Sequence, residues 1–188
     1  MNNKIFFPQV NGILHGSDYN PDQWLDRPDI LEKDIELMKK AKMTSMSLGI
    51  FSWSAYEPTE GEFHMHWLKN IMDKLYENGI YTILATPSGA RPAWLDEKYP
   101  ECMRVGADDH RAHHGVRHNH CMSSPKFREK TGIIINKIID TVGKHPGLAM
   151  WHLSNEFGGE CFCPLCKKKF QDYAPPEQKP SGGYNLNG

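Results

Sequence analysis

No apolar run in these 188 residues approaches the roughly 20 that a helix needs to span a bilayer. An excess of charge is missing as well, since 22 Lys and Arg stand against 23 Asp and Glu for a formal net charge of −1. With no basic field to attract phosphates, no nucleic-acid partner is expected, and no membrane partner either. Met1 to Pro8 offer one lysine and a very short apolar stretch, too little for a secretory signal, so a cytoplasmic protein is expected. Cysteine is scarce and odd in number, at five. Three of them, Cys161, Cys163 and Cys166, fall within six residues, and Cys102 and Cys121 stand apart. In a cytosolic chain that clustering favours a metal over disulfides.

What is present is an alternation of short apolar segments and amphipathic ones. Ile13 to Gly16 reads as a first strand running into the polar loop Ser17 to Pro21. Asp29 to Lys42 has near-helical apolar spacing, with Asp29 as the expected N-cap. Thr44 to Ile50 is the second strand, His66 to Asn78 the next helix with Gly79 as its stop, and Tyr81 to Thr86 the third strand. A histidine-rich insertion follows over about 96–124. Ser124-Pro125 then opens a long helix with proline at its first position, and Leu148 to Leu153 is the fourth strand. Strand and helix in alternation imply a parallel sheet covered by helices. A doubly wound sheet usually carries G-x-G-x-x-G after its first strand, and none is present. A (β/α)8 TIM barrel places polar and aromatic residues at its strand ends. Asp18-Tyr19-Asn20, Trp53-Ser54, Pro87-Ser88 and Asn155-Glu156 do so here, which favours the barrel. An eight-unit barrel needs about 250 residues, so this chain holds about the first four β/α units.

The run Trp151-His152-Leu153-Ser154-Asn155-Glu156-Phe157 ends an apolar strand in an amide and a carboxylate. Unpaired carboxylates are costly to bury, and at the C-terminal end of a barrel strand such a pair reads as catalytic. A surface glutamate opening a loop is the plain alternative. Glycoside hydrolysis would use Glu156 to protonate a leaving oxygen and Asn155 to donate to a sugar hydroxyl. The guanidinium fork of Arg117 suits sugar hydroxyls and carboxylates, although a surface ion pair is the plainer reading from chemistry alone. Cys161, Cys163 and Cys166 form C-x-C-x-x-C, and three thiolates need a fourth ligand to close a tetrahedral zinc site. Cys121 is the expected fourth, because it ends the third β/α segment, which neighbours the fourth in a barrel. Such a closed four-cysteine site is structural rather than hydrolytic. His110, His113, His114, His118 and His120 lack the H-E-x-x-H spacing of a zinc hydrolase and read as a polar loop at the barrel mouth.

Four ordered segments carry a specific resemblance. They are His15 to Trp24, Phe51 to Pro58, Arg117 to Cys121, and Trp151 to Cys166. Together they resemble glycoside hydrolase family 42 β-galactosidases over about residues 5–173. The resemblance implies a retaining mechanism that releases terminal β-D-galactose from a galactoside substrate. It implies Glu156 as general acid/base, Asn155 and Arg117 as sugar contacts, and structural Zn2+ on Cys121, Cys161, Cys163 and Cys166. It also implies a homo-oligomeric full-length parent.

The pattern departs from the family in two ways. Family members take their nucleophile from near the seventh strand, beyond residue 188, and neither Glu57 nor Glu60 is an evident substitute. From Ala174 the chain turns to Pro, Ser and Gly, so residues 174–188 are expected to be a disordered tail, and a frameshift near Ala174 is one source of such an end. Two other readings remain open here: a catalytically inactive zinc-binding module for glycans or proteins, and another retaining glycosidase on the same barrel.

Overall fold

The computed structural model describes residues 13–174. Strand β1 (Gly16–Tyr19) leads to helix α1 (Pro28–Lys40), strand β2 (Ser45–Leu48), the short helix α2 (Trp53–Tyr56) and helix α3 (His66–Glu77). Strand β3 (Tyr81–Ala85) is followed by helix α4 (Ala93–Lys98), helix α5 (Pro125–Val142), strand β4 (Leu148–His152) and helix α6 (Pro164–Tyr173). The four strands form one parallel sheet in the order β1-β2-β3-β4. That sequential order decides between the two architectures. A doubly wound sheet reverses direction at a switch point, whereas barrel strands are laid down one after the next.

The helices form where apolar side chains recur on one face. In α3, Leu68, Ile71, Met72 and Leu75 are buried at i, i+3, i+4 and i+7. The helix stops in a Schellman arrangement, with Gly79 at φ +74° and the N–H of Ile80 donating to the carbonyl of Leu75 at 2.9 Å. In α5, Phe127, Ile134, Ile138 and Val142 are buried, and the Ser124 hydroxyl caps the helix by accepting from the N–H of Phe127 at 3.3 Å. These faces meet Met46, Leu48 and Leu84 of the sheet in one core.

Some boundaries differ from expectation. The first strand begins at Gly16, not Ile13, so Asp18 and Tyr19 lie in the strand itself. Asp29 is not the N-cap of α1. Pro28 occupies the first turn, Arg27 precedes it, and Arg27 Nε and Nη2 donate to the Asp29 carboxylate at 2.9 and 2.7 Å. The insertion after β3 contains α4 and a short 3-10 turn, Pro100–Cys102.

The outer strands are thinly covered. Gly16, Ser17 and Asp18 of β1 are exposed, and no residue of β4 is fully buried. Ile133 and Ile139 of α5 are also left 38% and 45% exposed. No helix among the described residues is long and apolar enough to cross a membrane. Residues 5–12 of the expected domain and residues 175–188 of the expected tail lie outside the described residues, as does the Met1 to Pro8 segment. Ala174 itself is buried, with its N–H on the Phe170 carbonyl at 2.7 Å.

Candidate functional site

The C-terminal ends of β2, β3 and β4 gather the expected site residues. Glu156 lies four residues past the end of β4, in a loop instead of the strand. Its backbone is left-handed at φ +38°, as is that of Ser154 at φ +56°. Non-glycine residues seldom adopt this region, and surroundings must hold them there. One anchor is visible: the Ser154 N–H donates to the Thr86 hydroxyl, at the end of β3, at 2.7 Å.

Two donors converge on one carboxylate oxygen of Glu156. Asn155 Nδ2 donates to Oε2 at 3.1 Å, and Arg117 Nη2 lies 3.2 Å from the same atom. Both charged side chains are more than half exposed, at 52% for Arg117 and 67% for Glu156. An ion pair this exposed holds little on its own. A third group steadies the guanidinium, because Arg117 Cζ sits 5.2 Å from the centre of the Phe51 ring in a cation–π arrangement. In the sequence Phe51 only opens the Phe51 to Pro58 segment, with no role of its own assigned. Its place just past the end of β2 is the signal that could have found it.

The histidines separate into different roles. His118 is half-buried beside this site, and burial together with the nearby Arg117 charge lowers its imidazole. His120 is part of the wall and not of the mouth. It stacks on Phe127 with ring centres 4.1 Å apart, and burial pushes its imidazole down to about 3. Trp53 and Trp94 are buried core residues, and Trp151 packs against the same core.

Neither other glutamate near β2 faces this site with a free carboxylate. Glu57 is buried, and its oxygens accept from Trp53 Nε1 and from the N–H of Gly61, both at 2.9 Å. Glu60 accepts from Lys130, Lys98 and Tyr99, which hold its carboxyl down to about 2.

Cys121, Cys161, Cys163 and Cys166 converge, with all four sulfurs within 4.8 Å of one another. The Cys121 sulfur lies 3.6 Å from that of Cys163 and 3.4 Å from that of Cys166. A tetrahedral four-thiolate centre with bonds of about 2.3 Å sets its sulfurs about 3.8 Å apart. The donors therefore fit a metal ion with little adjustment. Burial pushes the Cys121 thiol up, so an uncompensated thiolate there is costly and a cation would relieve it. Cys102 stands outside the cluster, buried, with its sulfur 3.5 Å from the Ser124 hydroxyl.

The cysteine cluster and the Glu156 loop belong to one construction. The N–H of Phe162 donates to the Val105 carbonyl at 2.9 Å, and the Val105 N–H points at the Cys161 sulfur at 3.5 Å. Gly159, at φ +83°, lies directly against the Arg104 guanidinium, so close that a Cβ there would fall 1.9 Å from Nη1. The positive φ favours glycine here, whereas the mobile end of the Arg104 side chain could move aside.

The family model for glycoside hydrolase family 42, described as Beta-galactosidase, matches residues 18–179. The chain is 54% identical to the β-galactosidase BglY of Alicyclobacillus acidocaldarius over 92% of its own length. It is 53% identical to the β-galactosidase GanA of Bacillus subtilis over 86% of its own length. These matches cover 25% and 24% of the two relatives, so the chain spans about a quarter of their length. Among solved structures, a β-galactosidase from Rahnella sp. R3 superposes with a TM-score of 0.87 at 52% identity, covering 89% of this chain and 25% of that one.

Proposed function

Because this chain belongs to the glycoside hydrolase family 42 β-galactosidases, we propose that residues 13–174 are the acid/base-bearing part of a retaining β-galactosidase. The observation that carries this reading is the convergence of Asn155 and Arg117 on Glu156 beyond the end of β4. Glu156 is the general acid that protonates the leaving oxygen and later the base that activates water. Arg117 and Asn155 hold sugar hydroxyls, and the substrate is a terminal β-galactoside. The nucleophilic carboxylate comes from outside the described residues; Glu57 and Glu60 are both engaged by structural donors.

The test is a chimera in which residues 13–174 replace the matching quarter of a family 42 enzyme. Turnover of a nitrophenyl β-galactoside supports the reading, and a folded but inactive chimera contradicts it. In that chimera, Arg117→Lys loses the planar fork and with it one charge-assisted hydrogen bond. The expected cost is about 10–100-fold in kcat/KM. Unchanged kinetics would remove Arg117 from the sugar site.

We further assign the four-cysteine cluster to structural Zn2+. Four thiolates close the coordination sphere and leave no open position for chemistry, so the ion supplies a cross-link and no hydrolytic water. A reduced thiolate cluster suits a reducing compartment, and on that ground we place the protein in the cytoplasm. Metal analysis of the purified, reduced chain should give one zinc per chain. Cys163→Ser combined with Cys166→Ser should abolish it, and unchanged zinc content in that variant would refute the ligand set.

A further inference from the structure

Arg91 and Asp96 form the most deeply buried of the described ion pairs, with side chains 1% and 5% exposed. Arg91 Nε donates to Asp96 Oδ1, and Arg91 Nη2 reaches the Met103 sulfur at 2.7 Å. A buried ion pair is a poor source of net stability, because the cost of desolvation offsets the attraction. Its geometry is more informative. The second carboxylate oxygen, Asp96 Oδ2, takes Nδ1 of His114 at 2.5 Å. His114 is not in the core, being 46% exposed in its side chain, and it begins the short tongue that carries Arg117.

The tongue has two feet. At one end His114 is tied to Asp96 of α4. At the other, the N–H of His118 donates to the Gly89 carbonyl at 3.0 Å, on the same β3–α4 connection that supplies Arg91. Asn119 Nδ2 closes the base by donating to the His113 carbonyl at 2.8 Å. Between the feet the backbone runs through Gly115 at φ +145° and reaches His118 at φ +59°. Glycine adopts positive φ freely, but the left-handed backbone of His118 persists only where the surroundings impose it. The exposed pair between Arg117 and Glu156 is too weak to do so.

We propose that Asp96 is a positioning residue for Arg117, acting through His114. Its carboxylate, oriented by Arg91, fixes one foot of the tongue so that the guanidinium meets Glu156. This rests on the reading of Arg117 as a sugar contact, and the two are tested separately.

Asp96→Asn is a poor probe, because it strands the Arg91 guanidinium in the interior. His114→Ala removes only the exposed arm and leaves the Arg91–Asp96 pair intact. His114→Asn restores a donor near the position of Nδ1. In the zinc-loaded 188-residue chain, hydrogen exchange of the His118 amide, which is bonded to the Gly89 carbonyl, should accelerate about tenfold in His114→Ala, as for loss of one charge-assisted hydrogen bond guarding a local opening. The Arg117 side-chain Nε–H resonance should shift with it. Both should return in His114→Asn, while exchange in α3 and the melting temperature stay as in the parent. Unchanged exchange at His118 would overturn the proposal. So would acceleration spread equally over α3, which would make His114 a general stabiliser. If the tongue loosens as expected but Arg117→Lys leaves chimera kinetics untouched, positioning stands and the sugar-contact reading falls.

Discussion

Glu156→Gln is expected to lower β-galactoside turnover in the chimera by about 10²–10⁴-fold, the usual contribution of a positioned proton donor. The substitution keeps the shape of the side chain and an oxygen for Asn155 Nδ2 and Arg117 to approach. What it removes is the transferable proton. The loss should therefore depend on the leaving group. Alkyl and sugar aglycones need protonation as the bond breaks, whereas a nitrophenolate departs without it. Glycosylation of the activated substrate should be nearly spared, with the residual defect in the deglycosylation step, where the same carboxylate activates water. Melting temperature and zinc content serve as controls for folding. An equal loss of the glycosylation step across good and poor leaving groups would remove Glu156 from the acid's role.

A second large effect is expected from the 188-residue chain by itself, which should show no β-galactosidase turnover. Retaining hydrolysis needs a second carboxyl about 5–5.5 Å from the first, to trap the oxocarbenium-like centre. The two glutamates that follow β2, Glu57 and Glu60, are held by Trp53, Gly61, Lys98, Lys130 and Tyr99. Stability is the separate issue. β1 and β4 are the outer strands of the sheet, and their unpaired backbone groups invite other chains. Improving the stability of this segment should therefore not confer activity, whereas supplying complementary strands in trans should help. The assay is hydrolysis of a nitrophenyl β-galactoside by the purified chain, with Glu156→Ala as the contamination control. Turnover that Glu156→Ala abolishes would show that a carboxylate within these residues acts as the nucleophile.

The parts of the molecule that were legible in its sequence are those whose physics is local or periodic. Leu68, Ile71, Met72 and Leu75 announce a helix and its buried face by spacing alone, and all four are buried. Ser124-Pro125 announces a helix start, and the Ser124 hydroxyl does cap it. The C-x-C-x-x-C run suggested a cluster, and the barrel argument brought Cys121 to it. What escaped is non-local. β1 is short, polar and mostly exposed, so no alternation marks Ser17 and Asp18, and only pairing with β2 makes them part of the strand. Leu37 fits a helical apolar count yet is 50% exposed, because α1 buries the stripe through Ile35 and Met38 instead. Asp96 and His114 are 18 residues apart with no shared period, and Phe51 meets Arg117 only through the fold. The left-handed backbone at Glu156 was equally hidden, since nothing about a glutamate advertises φ +38°.

With zinc on the four cysteines as proposed, the metal would be a gauge of assembly. Cys121 precedes α5, while its three companions follow β4, so the segment closed between Cys121 and Cys163 has a separation of 42 residues and contains both elements. Docking of β4 beside β3 brings the three companions toward Cys121 and so favours the fourfold thiolate set. By thermodynamic linkage, affinity for the ion then includes part of the free energy of that docking. A substitution that loosens β4 from β3 is expected to weaken the ion's hold, even where it touches no sulfur. Titration with zinc would thus report on the β3–β4 junction, and conversely the ion would help to hold this edge of the sheet in place.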